Sequence, residues 1–201
     1  MEITDGLPCH VFAVLLSLSS LCVASARQIR FTTAKTTSTG ISYSLRIAVG
    51  DFNQDGNPDI AICSNNNQVA IFLGNGKGGF TGPTIYTIGI SVIDLAVGDF
   101  NNDGKVDLAL VGGDPFSDGL AFLAGNGDGT FSPPTYFLTG VAGGSLTVLA
   151  ADFNHDNNLD LFVGGNGSSE VILGDGHGGF QEGQYENGVM GDRYSDRRLQ
   201  W

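Results

Sequence analysis

Short apolar runs separated by acidic, amide-rich and glycine-rich turns recur along most of this chain. Leu45 to Gly50, Val92 to Gly98 and Leu146 to Ala151 each open a cycle. A second run follows in Ile60-Ala61-Ile62-Cys63, Leu108-Ala109-Leu110-Val111 and Leu161-Phe162-Val163, and a third is exemplified by Val69-Ala70-Ile71-Phe72-Leu73. Apolar runs this short, bounded by turn residues, predict buried strands. Each cycle then has a glycine turn closing on an aromatic: Gly74 to Phe80, Gly125 to Phe131 and Gly174 to Phe180. A fourth strand is expected near Thr84 to Thr87 and Thr135 to Leu138. Four strands in about fifty residues, repeated in register, fit the blade of a β-propeller.

Between the first and second runs of every cycle lies the same nine-residue pattern, at Asp51 to Asp59, Asp99 to Asp107 and Asp152 to Asp160. Oxygen-bearing side chains fall at positions one, three, five and nine: Asp51, Asn53, Asp55, Asp59; Asp99, Asn101, Asp103, Asp107; Asp152, Asn154, Asp156, Asp160. Hard oxygen ligands suit calcium, and position seven (Asn57, Lys105, Asn158) is placed to offer its backbone carbonyl. Position six needs a sharp turn. Gly56 and Gly104 tolerate positive φ there, and Asn157 visits that region more readily than most residues. Clustered carboxylates repel one another, so ion binding would be coupled to local ordering. About three calcium sites are therefore expected. Asp, Asn and Gly also make ordinary polar turns, but three copies in register argue for a shared ligand set.

A helical calcium hand begins with the same spacing but needs a carboxylate at position twelve and a helix beyond it. The corresponding residues are Ile62, Leu110 and Val163, inside the second apolar runs. The expected metal site therefore lies in a hairpin between two strands.

The first 26 residues are of another kind. Val11 to Val23 is an apolar stretch too short to span a bilayer comfortably, and Ala24-Ser25-Ala26 is a small-residue cleavage pattern. A cleaved secretory signal over 1–26 is expected, with Glu2 and Asp5 standing where Lys or Arg is usual; a retained anchor is the alternative. Cleavage would remove two of the three cysteines, leaving Cys63 in an apolar strand as a buried, inert thiol. The formal charge is −12, and nine of the 21 acidic residues sit in the three loops. Acidity here reports metal sites, and nucleic-acid binding is disfavoured.

The combination Asp-Phe-Asn-x-Asp-Gly-x-x-Asp, an apolar strand and Gly-Asn-Gly-x-Gly-x-Phe resembles the FG-GAP or VCBS repeats that form the blades of integrin α-subunit propellers. The resemblance covers about residues 45 to 185. It implies calcium between the first two strands of each blade. It also implies ligand contacts on the opposite face, in the second-to-third-strand loops Ser64 to Gln68, Gly113 to Asp118 and Asn166 to Ser169, with Asn66, Asp114, Phe116 and Asp118 as candidate contacts. The expected function is a secreted calcium-binding propeller module recognising a protein or a glycan, with no membrane insertion after signal cleavage. The alternatives are a structural propeller fragment without a ligand and an accessory domain of a polysaccharide-acting enzyme. Asn166-Gly167-Ser168 is also a glycosylation sequon. No catalytic constellation emerges, since His10, His155 and His177 lie in the signal or in turns.

The fold expected is all-β, a partial propeller of about three four-stranded blades plus an extra N-terminal strand. Its boundaries are 27–188 for the repeats (units of about 45–90, 91–144 and 145–188) and 189–201 for an irregular tail. The extra strand follows from Phe31, which precedes Asp51 as Phe80 precedes Asp99 and Phe131 precedes Asp152. Three blades fall short of the 4 to 8 of most single-chain propellers and leave open edges. Truncation from a larger propeller is the favoured explanation; self-association of two copies into a ring and an open arc are the others.

Overall fold

The computed structural model describes residues 37–114, 117–141 and 145–185. The described residues form twelve strands in three antiparallel sheets, each ordered as the chain runs. The first sheet holds β1 (Ser44–Gly50), β2 (Asp59–Ser64), β3 (Gln68–Gly74) and β4 (Phe80–Thr87). The second holds β5 (Val92–Gly98), β6 (Asp107–Asp114), β7 (Ser117–Leu123) and β8 (Thr135–Leu138), and the third β9 (Ser145–Ala151), β10 (Asp160–Gly165), β11 (Ser169–Gly174) and β12 (Phe180–Tyr185). The fold is thus all-β, with three four-stranded blades as expected of a partial propeller. The expected extra strand around Phe31, the signal over 1–26 and the tail over 189–201 fall outside the described residues.

Each sheet is apolar on both faces, so neighbouring blades pack face to face. In β5, Leu95 and Val97 join the core shared with the first blade, which includes Ala61, Cys63, Val69 and Ile71. The alternate residue Ala96 joins the core shared with the third blade, which includes Val148, Leu161, Val163 and Ile172. This is the period-two alternation of a strand buried on two sides. Fully burying a side chain such as Leu108 or Leu161 contributes about 1.5–3 kcal/mol. Cys63 is fully buried within the first interface, and burial pushes its thiol up to about 11.

Aromatic edge-to-face pairs close each interface. Phe52 meets Phe131 at 5.5 Å between centroids, and Phe100 meets Phe180 at 5.8 Å. The buried Asp94 on β5 ties all three blades. Its carboxylate accepts from the Thr147 hydroxyl (2.9 Å) and the Val148 N–H (3.1 Å) on one side and lies 3.6 Å from the Arg46 guanidinium on the other.

Two strand expectations shift. In the first and third blades the fourth strand begins at the aromatic itself, Phe80 or Phe180. In the second blade Phe131 makes only an isolated bridge to Gly125, and the strand resumes at Thr135. Pro133 and Pro134 lie between and have no N–H for the ladder. The segment 113–118, expected as a loop, is mostly paired: Gly113 faces Asp118 and Asp114 faces Ser117, which shortens the connection to 115–116.

Candidate functional site

The three acidic loops share one hydrogen-bond pattern, imposed by a backbone that turns sharply at position six. Gly56 (φ 80°), Gly104 (φ 81°) and Asn157 (φ 71°) all occupy the left-handed region, as the sequence pattern requires. In the first loop the two oxygens of Asp51 accept the Asp55 and Gly56 N–H groups at 3.1 and 2.9 Å. Asp99 does the same for Asp103 and Gly104 at 3.0 and 2.8 Å, and Asp152 for Asp156 and Asn157 at 3.2 and 3.0 Å. The amide oxygens of Asn53, Asn101 and Asn154 share the position-five N–H with the first carboxylate. Positions one and three are therefore gathered around one donor.

Position five closes the cluster. Asp55, Asp103 and Asp156 each accept the N–H of position seven, from Asn57, Lys105 and Asn158 at 2.8–2.9 Å. In the first and third loops the other position-five oxygen takes the Asn53 or Asn154 amide, at 3.0 and 2.9 Å. The Asn57 and Asn158 backbone bonds are the main cause that holds Asp55 and Asp156 below the ordinary carboxylate value. In the second loop the Lys105 ammonium lies 3.3 Å from the Asp103 carboxylate. Partial desolvation opposes ionisation of Asp103, but the Lys105 backbone bond and its ammonium outweigh it, and the net shift is downward.

Position nine behaves differently. Asp59, Asp107 and Asp160 are fully buried, and each spans the hairpin. One oxygen accepts the N–H of the position-two Phe: Phe52 at 2.8 Å, Phe100 at 3.0 Å, Phe153 at 2.8 Å. The other accepts the N–H of the glycine ending the third strand: Gly74 at 2.7 Å, Gly125 at 2.8 Å, Gly174 at 2.9 Å. Burial raises the pKa of Asp107. Residue type alone groups these carboxylates with the other four positions; the structure gives them a second role as pins between loop and third strand. The signal available for it was the strict recurrence of that glycine.

The donor set fits a hard dication in its chemistry. Each loop offers two exposed or half-exposed carboxylates and an amide oxygen, and an oxygen accepting one N–H keeps a further lone-pair site. Among the described residues no group of three or more His, Cys, Asp and Glu converges. The reason is visible: the third member of each outer cluster is an Asn, and the ninth carboxylate is turned into the hairpin. Because Lys105 competes for the Asp103 oxygens, Lys105→Ala is expected to raise calcium affinity at the second loop about two- to fivefold, the worth of an exposed ion pair, read by titration.

The loops also touch one another. The Gln54 amide donates to the Gly104 carbonyl (2.9 Å), and the Asn102 amide donates to the Asn158 side chain (2.8 Å). Of the other candidate contacts, Asn66 is exposed at the opposite end of the first blade, where its N–H bonds Ser64. Phe116 and the side chains of Asp114 and Asp118 fall outside the described residues. Asn166 of the sequon is exposed.

A model of the FG-GAP-like repeat matches residues 51–110 and 99–163. None of the curated proteins matches the chain. Among 22 matching solved chains is an Agrocybe aegerita lectin whose structure is described as the basis of specific recognition of non-reducing terminal N-acetylglucosamine. It is 21% identical, with a TM-score of 0.48, over 70% of this chain and 37% of that one. This chain thus spans little more than a third of the lectin's length.

Proposed function

Because the chain belongs to the family of FG-GAP-like repeat proteins, we propose that it serves as a secreted, calcium-stabilised propeller module that recognises a protein or a glycan. The observation that carries this reading is the threefold identity of the acidic loops. Positions one, three and five gather around the same backbone donor in every blade, at the solvent-facing end of the first hairpin. Bound calcium would neutralise the clustered carboxylates and stiffen the hairpins that hold the blades. Recognition is assigned to the opposite end, where the turns around Asn66 and Asn166 are polar and exposed. Residues 1–26 would act as the secretory signal, giving a secreted form beginning at Arg27.

Calorimetric titration of the full chain with calcium should show uptake at about three sites. Calcium at 100 times its Kd adds about 2.7 kcal/mol, so melting should rise by about 5–10 °C and fall back in EGTA. Absence of heat and of any melting shift would refute the calcium reading. A glycan array and a pull-down in calcium test recognition, which chelation should abolish. A second reading rests on the completeness of the loop hydrogen bonds: the loops are self-supporting turns in a structural blade set without a ligand. Silence in all these assays selects it.

A further inference from the structure

One interface pattern occurs twice within the chain, and each of its halves occurs once more, alone. The position-two Phe of one blade inserts against the Phe that opens the fourth strand of the next: Phe52 on Phe131, Phe100 on Phe180. Phe52 and Phe100 are each 1% exposed. Phe153, the same residue of the third blade, is 44% exposed, and Phe80, the strand-opening aromatic of the first blade, is 40% exposed. The surrounding residues follow the same rule. Ile47 and Val49 on β1 are exposed, whereas their counterparts Leu95 and Val97 on β5 pack into the core. Leu149 on β9 is exposed, whereas its counterpart Ala96 is buried. On the acidic loops, Gln54 and Asn102 reach forward to the next loop from a positive φ, and His155 holds the same place and the same conformation on the third.

We propose that the Phe153 face of one copy docks on the Phe80 face of a second copy, so that two chains close head to tail into a six-bladed ring. The occupant is a second copy because the two exposed faces are the two complementary halves of an interface this chain already makes twice. Each junction joins a third blade to a first blade, as the internal interfaces join first to second and second to third. Two identical junctions related by a two-fold axis close the ring and leave neither half exposed. Six blades fall within the about 4 to 8 of known propellers.

The test is the mass of the full chain in calcium by light scattering, with substitutions at opposite ends. The unaltered chain should have the mass of two chains. Phe153→Asp and Phe80→Asp should each reduce it to one, with unchanged β circular dichroism because both side chains are already partly in solvent. Leu149→Asp, on the same face as Phe153, is a second variant that should do the same. A single-chain mass for the unaltered protein up to about 100 µM would overturn the proposal. So would a continuing series of larger masses, or a two-chain species indifferent to all three substitutions. The readout is mass, so this outcome and that of the calcium titration are independent.

Discussion

Gly125→Ala is expected to destabilise the protein by about 3–5 kcal/mol, a large share of the total stability of an ordinary domain. A Cβ at this position would meet the Val106 carbonyl oxygen well inside the 3.0 Å that real Cβ contacts keep. The obstacle is backbone, and it belongs to the residue before Asp107, whose carboxylate holds the Gly125 N–H at 2.8 Å. Relief of the clash therefore breaks the bond. The same geometry recurs where Gly74 faces the Pro58 carbonyl and Gly174 the Leu159 carbonyl. Urea denaturation measures the effect as a lower midpoint. A loss under about 1 kcal/mol would show that the third strand slides freely past the loop, contrary to this account.

Asp107→Ala is expected to lose about 2–6 kcal/mol, because it leaves the Phe100 and Gly125 N–H groups buried without an acceptor, at about 1–3 kcal/mol each. Asp107→Asn keeps one acceptor oxygen and should lose about half as much. The acid limb gives an independent check. A folded-state pKa raised by burial means that the folded chain takes up this proton before the unfolded one, so Asp107 adds stability as the pH falls toward 3.8. Asp55 and Asp156 have the opposite sign, and their contribution is present above 3.8 and lost below it. Removing Asp107 should therefore steepen the decline of melting temperature in acid. An unchanged acid profile together with an unchanged urea midpoint would show that the carboxylate is no pin.

The strands and the acidic turns were legible because both are local. Apolar runs such as Val69 to Leu73 have the length and boundaries of strands, and the positive φ at position six was readable from Gly56 and Gly104. What was not legible depends on contacts across the sheet. A repeat of Asp at position nine does not say whether the carboxylate turns outward or into the hairpin; that is fixed by a glycine N–H 15 residues on, at Gly74. The role of Asp94 was hidden for the same reason, since its partners Thr147 and Val148 lie in the next blade. The short β8 was in principle readable from Pro133 and Pro134, whose missing donors end the ladder.

The reach of Gln54 to Gly104 and of Asn102 to Asn158 strings the three turns into a single file. A turn that stiffens lowers the entropic penalty for its neighbour. The file then behaves as a nearest-neighbour array in which the middle member, gripped from both sides, is the last to let go.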